Sequence, residues 1–380
     1  MLTSKGYSKA SASALILLFV LGLLVGGLLL FYVSYLQVTH LNSEITNLQS
    51  AVSNATGFQN ATYQSITILQ NGTSLAGLYQ NVRDSVVLVQ GETSGGGVQG
   101  SGFVYNFADR TVVLTNYHVV QGTTGLSVTF SDGHGYSATV LGTDPYSDLA
   151  VVSVSSDAPA SEFKPLTIVS SSTLGVGEPV IAIGNPYGLV GSLTTGVVSA
   201  TGRTITEDTA GGYAIANIIQ TSTPINPGNS GGPLLNSLGN VVGITTAIVS
   251  QSQGLGFAIP SDTILREVEA LISTGSYQGH SYLGVTGTDM DYTTAQQTHS
   301  SVTYGWQIAT VASGGPSDGK LQPGDIVIAM NNQTIKNNDD LASYLEQNTL
   351  PGDSINLTVV RGNSQIDVTV VLGTRPSPST

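Results

Sequence analysis

The sequence predicts three parts in series: a membrane-spanning helix, an all-β domain built as a barrel or sandwich, and a smaller unit of strands with one helix. Three observations carry this reading. Residues 14–33 read ALILLFVLGLLVGGLLLFYV, an uncharged apolar run long enough to cross a bilayer core of about 30 Å. From residue 78 to 260, short β-branched and aromatic runs alternate with Gly, Pro, Asn and Asp, the pattern of many short strands joined by turns. The chain of 380 residues also carries 46 Gly and only 9% charged residues, where about 25% is usual. Such a chain turns often and reads as β-rich.

Each part can be justified in order. Residues 1–13 form a tail in which Lys5 and Lys9 precede the apolar run, and the next charge is Glu44. The positive-inside rule then places the N-terminus in the cytoplasm and everything beyond the helix, residues 14–34, outside the cell membrane. A cleaved signal peptide would carry a shorter apolar core and a small-x-small site after it; FYVSYLQV stands there instead. Residues 35–77 are polar and read as a stalk. Leu41, Ile45, Leu48, Val52 and Ala55 make a short heptad seam, compatible with a spacer or with weak oligomerisation. In 78–275, VVLVQ, TVVLT, LSVTF, LAVVSV, PVIAI, GVVSA, VVGITTAIV and LGFAIP supply strands. A helix follows, with Ser261 or Asp262 as N-cap, an apolar face of Ile264, Leu265, Val268, Leu271 and Ile272, and Gly275 as the stop. In 280–373, YLGV, GWQIATV, IVIAM, INLTVV and IDVTVVL read as strands, with a helix over about Asn338–Gln347. Residues 374–380 read as a disordered tail.

Composition excludes several function classes. Acidic residues number 24 and basic residues 11, a formal net charge of −13. The Lys and Arg residues are scattered, so no nucleic-acid surface is expected. Cys is absent, which removes disulfides, thiolate metal sites and a Cys nucleophile. His40, His134, His280 and His299 show no metal-ligand spacing and read as surface residues, so neither metal nor cofactor is expected. GGPSDGK, Gly314–Lys320, approaches a P-loop, but Leu321 stands where Ser or Thr is required.

Nucleophilic chemistry remains. Three segments follow in the order His, Asp, Ser: TNYHVV with His118, DPYSDLAVV with Asp148 and NPGNSGGP with Ser230. A Ser hydroxyl is a poor nucleophile at neutral pH and needs a base oriented by a carboxylate. His suits the base role because its free pKa is about 6.5. TVVLT ends just before His118 and LAVV begins just after Asp148, so both sit at strand ends; Asp144 is a nearby competitor for the carboxylate role. Gly228 and Gly231 flank Asn229-Ser230, which frees the backbone to turn the amides of Gly228 and Ser230 onto a developing oxyanion. GNSGG also fits the G-x-S-x-G nucleophile elbow, but that motif needs a helix next and the order Ser, Asp, His. Pro233 and another strand-like run follow instead.

With these blocks on view, the chain resembles the HtrA/Deg family of serine proteases. TNYHVV, SDLAVV, PVIAIGNPYG, GVVSATGR, IQTSTPINPGNSGGPLLN and GLGFAIP match that family's blocks in its order and at similar spacings. YLGV, LQPGDIVIAMNNQTI and LPGDSINLTVVR look like its PDZ domain. The resemblance covers about residues 78–373. It implies an all-β protease domain of two six-stranded antiparallel barrels, trypsin-like, followed by a small α+β PDZ domain. It assigns His118 as general base, Asp148 as its orienter, Ser230 as nucleophile, and Gly228, Asn229 and Ser230 as the oxyanion hole. Thr246, Ala247 and Ile248 would pair with substrate, with Ile248 at the S1 pocket. Pro224 stands six positions before Ser230, where trypsin-like specificity needs an acid, so cleavage after small or medium aliphatic residues is expected. Arg203 matches the family's sensor arginine, a regulatory residue. Tyr282, Leu283, Gly284 and Val285 would hold a peptide's C-terminal carboxylate, with Leu341 and Leu345 lining its side-chain pocket. Tyr79 lies where the family forms homotrimers. The implied activity is ATP-independent cleavage of unfolded or misfolded extracytoplasmic proteins and of peptides with hydrophobic C-termini, part of protein quality control and stress response. The alternatives are a narrow regulatory protease for a membrane partner, and a chaperone-like binding protein with little proteolysis.

Overall fold

The computed structural model describes residues 74–185, 191–207, 213–226, 228–246 and 255–376, with a few positions between 17 and 44. The chain divides into two compact units, Met1–Leu69 and Gln70–Thr380. In the first, Leu17, Phe19, Tyr32 and residues 34–41 are helical and exposed. Most of the expected span 14–34 and most of the stalk lie outside the described residues. Among the residues described, no helix is long and apolar enough to cross a membrane.

The second unit opens with α1 (Leu75–Val82), whose N-cap Ser74 accepts from Gly77 N. Leu78 and Val82 are buried, so this helix, which starts inside the stretch read as stalk, packs on the domain. A first barrel follows: β1 (Val86–Thr93), β2 (Gly96–Phe107), β3 (Arg110–Asn116), the helical turn α2 (Tyr117–Val120), β4 (Thr124–Thr129), β5 (Gly135–Asp144) and β6 (Leu149–Val154). It closes in the order β1-β2-β3-β6-β5-β4. Val87, Val89, Val104, Val113, Val128 and Val152 fill its interior. The second barrel is β7 (Pro179–Gly184), β8 (Ser192–Glu207), β9 (Tyr213–Thr221), β10 (Pro233–Leu235), β11 (Val241–Thr246) and β12 (Gly256–Pro260). It closes as β10-β11-β12-β9-β8-β7 around Val180, Ala182, Val198, Ile219, Leu234, Val242 and Ala258. Closure leaves no unpaired strand edge.

Helix α3 (Ser261–Thr274) packs against β5 and β6 of one barrel and β11 and β12 of the other. This covers the outer row of β11 and β12, whose residues are all buried, and explains why those strands read as continuous apolar runs. The helix differs from expectation in two ways. Its N-cap is Pro260 rather than Ser261 or Asp262, because the Ser261 hydroxyl is spent on Val169 O. Its buried face is Ile264, Glu267, Val268 and Leu271, while Leu265 is exposed. A charged residue therefore occupies the stripe that a hydrophobic count alone assigns to leucine. Gly275 ends the helix in the left-handed region at φ 81°, as expected.

The smaller domain contains β13 (Ser281–Tyr282), β14 (Val285–Asp289), α4 (Tyr292–Thr298), β15 (Trp306–Val311), β16 (Ile326–Met330), β17 (Gln333–Thr334), α5 (Asn338–Asn348), β18 (Ser354–Arg361), β19 (Ser364–Val371) and β20 (Gly373–Thr374). Its sheet runs β14-β15-β16-β18-β19, so β14 is an edge strand, and β13 pairs with β20. Several described elements, β9 among them, were not among the predicted strands and helices. β2 carries four Gly in twelve residues, β5 is half-exposed along its length, and α1 and α4 are short.

Candidate active site

Strand pairing builds the first half of the site. β3 and β6 pair with Asn116 opposite Leu149, which brings the residues after one strand beside the residue before the other. Tyr117 N and Asn116 Nδ2 both donate to Asp148 O, each at 3.0 Å. Asp148 is fully buried and holds a left-handed φ of 48°, a costly conformation for a residue with a Cβ, and one that clusters at functional sites. Its carboxylate meets His118 twice: the backbone N–H donates to Oδ1 at 2.9 Å, and ring Nδ1 lies 2.9 Å from Oδ2. A carboxylate only accepts, so Nδ1 carries the proton and Nε2 is left as the basic nitrogen. Thr246 Oγ1, from the other barrel, donates to Oδ2 at 3.1 Å. Asp144, the competitor, turns away and lies 2.5 Å from His280.

The second half is the turn 228–232, fixed peptide by peptide. Gly228 O accepts from Ser101 Oγ at 2.6 Å, and Asn229 N donates to Asn226 O at 2.9 Å. Asn229 O accepts from Thr245 Oγ1 at 2.6 Å and from Gly232 N at 2.9 Å. Ser230 O accepts from Ser101 N at 2.7 Å, and Gly231 N donates to Thr245 O at 2.9 Å. A trans peptide directs its N–H opposite its C=O, so anchoring Asn229 O aims the Ser230 amide the other way. The Ser101 hydroxyl also accepts from Asn185 N at 2.7 Å. Gly228 and Gly231 hold φ of 95° and 85°, and a Cβ at Gly231 would strike Ser101 O and Thr115 Oγ1. At Gly100, a Cβ would lie 2.6 Å from Val119 Cγ2 and 3.0 Å from Ser230 O. The turns bearing His118 and Ser230 thus close on the same glycine.

Several expected residues stand differently. The Asn229 amide is committed to Asn226 O at 2.9 Å, inside its own turn. Thr246 is buried with its hydroxyl on Asp148, so it supports the carboxylate rather than presenting its side chain to substrate. Ala247 and Ile248 lie outside the described residues. Ser101, Thr115 and Thr245 had no sequence signal, because small hydroxyl residues inside strands look like ordinary strand residues.

Arg203, on β8, reaches across to the smaller domain. Its Nη1 donates to Asp339 Oδ2 at 3.0 Å, Thr204 N donates to Oδ1 at 2.7 Å, and Ser343 Oγ donates to Gly202 O at 3.0 Å. The helix α5 bearing Asp339 and Ser343 packs on β8 and β9. Next to edge strand β14, Gly284 has φ 77° and its carbonyl accepts from Ala312 N at 2.8 Å; Ser317 Oγ donates to Leu283 O at 2.6 Å. Tyr282 pairs with Gly373, and Val285 with Val311. Leu283 and Leu341 are buried in the domain core, with Leu345 packed beside them, so they fill the domain rather than line an open pocket. His40, His134 and His299 are exposed as expected. His280 is not: it is 4% exposed, because the connector carrying it is clamped between the domains.

Two closed six-stranded barrels, joined by the bonds of Ser101 and Thr246 beside a His–Asp pair and a glycine-rich Ser turn, define the class of trypsin-like peptidase folds. A trypsin-like peptidase domain model matches residues 100–244, and a PDZ domain model matches 281–372. Among curated proteins, the chain is 37% identical over 295 residues to Protease Do-like 1, chloroplastic, of Arabidopsis thaliana, covering 74% of this chain and 64% of that one. It is 35% identical over 281 residues to the putative serine protease HhoA of Synechocystis, covering 72% and 70%. The HtrA-type protease AlgW, solved with a tripeptide, superposes with a TM-score of 0.65 at 32% identity, covering 80% of this chain and 98% of that one. The chain belongs to the HtrA/Deg family of serine proteases. It spans 64% and 55% of the first two curated relatives' lengths.

Proposed function

We propose that this chain is an ATP-independent serine endopeptidase acting by a Ser-His-Asp acyl-enzyme mechanism. The observation that carries the reading is His118 held by both its backbone N–H and Nδ1 on a buried Asp148. In this reading His118 Nε2 takes the Ser230 hydroxyl proton as Oγ attacks the scissile carbonyl, and returns it to the leaving amine. Asp148 keeps the ring in the productive tautomer and stabilises the imidazolium. The amides of Gly228 and Ser230 receive the oxyanion, and water then hydrolyses the acyl-enzyme. With Pro224 in place of an acid, cleavage falls after small or medium aliphatic residues. The test mixes the full chain with an unfolded, casein-like protein, with Ser230→Ala in parallel. Wild type degrades it, and the variant loses on the order of 10⁶ in kcat. Equal cleavage by both forms would remove the reading.

The finer assignments rest on separate supports. Exposed apolar side chains on the helical positions Leu17, Phe19 and Tyr32 support an N-terminal membrane anchor, and Lys5 and Lys9 before it support an enzyme outside the membrane. Edge strand β14 and the turn at Gly284 support binding of a peptide C-terminus by strand addition, and solved relatives are complexes with tripeptides and decapeptides. The Arg203–Asp339 bond supports a sensor in which PDZ occupancy alters the protease, which favours regulated cleavage of a membrane partner. If Arg203→Ala leaves the peptide-stimulated rate unchanged, that link fails. A homotrimer built near Tyr79, whose hydroxyl donates to Gly191 O at 2.8 Å, is checked by light scattering.

A further inference from the structure

Behind the triad, where α3, the connector and α5 meet, lies a second constellation that the proposed mechanism does not use. Asp144, Glu267 and His280 are 1%, 0% and 4% exposed. They come from three separate elements: the end of β5, the middle of α3 and the connector before β13. One ligand-capable atom of each lies within 4.8 Å of the others. We propose that these three residues bind one divalent transition-metal cation, of which Zn²⁺ is the natural member, as a buried structural site that fastens the protease domain to the PDZ domain.

Four observations point that way. First, Glu267 Oε1 is held by Ser147 Oγ at 2.9 Å and Arg266 Nη2 at 2.7 Å, while Oε2 is buried without a hydrogen-bond partner among the described residues. A native interior rarely leaves such an atom unmet. Second, His280 presents Nε2 to Asp144 Oδ2 at 2.5 Å, and its Nδ1 lies 3.1 Å from Glu346 Oε2. An Nδ1–H donating to a carboxylate is the outer-shell arrangement that orients metal-binding histidines, and a cation would take the place of the proton that Nε2 shares with Asp144. Third, the donor set of one imidazole and two carboxylates suits Zn²⁺ and its first-row neighbours. Fourth, carboxylates outnumber guanidinium groups at this cluster. Three carboxylates, Asp144, Glu267 and Glu346, gather here, and Arg266 is the guanidinium bonded to them, through Glu267 and Glu346. Arg375 instead lies 3.9 Å over the Tyr146 ring and donates to Ala214 O. With a neutral imidazole, a divalent cation closes the remaining gap.

The other His–acid cluster, Asp132, His134 and Glu162, is largely solvent-exposed and serves as the control. The full chain, stripped with chelator and dialysed against Zn²⁺, is expected to retain one tightly held equivalent and to melt at a higher temperature. Glu267→Gln, close to isosteric, should weaken Zn²⁺ binding more than tenfold, and Glu346→Gln should weaken it by about 10–100-fold. Asp132→Asn and His118→Ala should leave the equivalent in place. Should Glu267→Gln misfold, X-ray absorption on wild type still decides: one nitrogen and otherwise oxygen ligands at about 2.0–2.2 Å support the site. No retained Zn²⁺, equal affinity in Glu267→Gln, loss in Asp132→Asn, or a shell of two or more imidazoles would each overturn it.

Discussion

Two hydroxyl side chains hold the site without touching its chemistry. Thr246 Oγ1 binds the Asp148 carboxylate, and a hydrogen bond to an ionised group contributes about 1.5–3 kcal/mol. Thr246→Val should therefore lower kcat/KM about 10–100-fold, while Thr246→Ser stays near wild type; peptide-cleavage kinetics in which the two variants match would dismiss the role. Ser101 ties Gly228 O and Asn185 N through one oxygen. Ser101→Ala should cut kcat by about tenfold or more with KM little changed, because the aim of the turn matters more to the oxyanion than to bound substrate. A lower melting temperature with kcat intact would make that hydroxyl structural only. Order and position beside strands singled out His118, Asp148 and Ser230 in the sequence, and the structure sets His118 on Asp148. The roles of Thr246 and Ser101 were not legible there, since a buried strand hydroxyl and an exposed one look alike in sequence. Asp148 rather than Asp144 was settled by the β3–β6 register, which sets Asp148 O under Tyr117 N and Asn116 Nδ2.

Among elements, α3 carries most of the join between the barrels. Leu271 is fully buried on it, and its backbone runs so close to β5 that a Cβ at Gly142 would strike the Leu271 carbonyl. Leu271→Ala should cost about 2–5 kcal/mol in denaturant unfolding, whereas Leu265→Ala on the exposed side should cost under about 0.5 kcal/mol. Similar losses at both would contradict the observed facing of the helix. Periodicity located this helix to within a residue. It erred on the stripe, because Glu267 is buried by the ion network around it, which no hydrophobic pattern anticipates. The β8–α5 contact behaves differently. The Arg203–Asp339 pair is partly exposed, so Asp339→Asn should change stability by about 1 kcal/mol or less. Its effect is expected in the response to peptide instead.

At the scale of the molecule, the buried ionic cluster couples the two domains to pH. In metal-free protein, hydrogen bonds to Asp144 and Glu346 outweigh burial and raise His280 to about 10. Its contribution is complete below the unfolded value near 6.5 and is lost as pH rises toward 10. Burial opposes ionisation of Glu346, but His280 and Arg266 prevail and hold it at about 2. That contribution is present above about 4.5 and lost as pH falls toward 2. Glu267, raised by burial, acts with His280, since ionising it inside the fold is unfavourable at higher pH. Melting temperature in chelator should therefore peak at about pH 4.5, above which Glu267 begins to count against the fold, and fall toward pH 9. His280→Gln should flatten the alkaline slope. An unchanged slope would show that the cluster does not link the domains to pH.

By itself the sequence determined the order of the peptidase and PDZ domains, most strands of both barrels, both longer helices and the family. These depend on local pattern: apolar period, turn residues, and short blocks whose order survives in the chain. Tertiary structure alone decided that the Asp144 carboxylate turns to His280, that the Asn229 amide stays within its turn, where the Thr246 hydroxyl points, and that His280 is buried. Each of those depends on contacts between residues far apart in the chain, from Ser101 on Gly228 to Asp144 on His280. Barrel closure and domain docking create such contacts, and nothing in the local residue pattern encodes them.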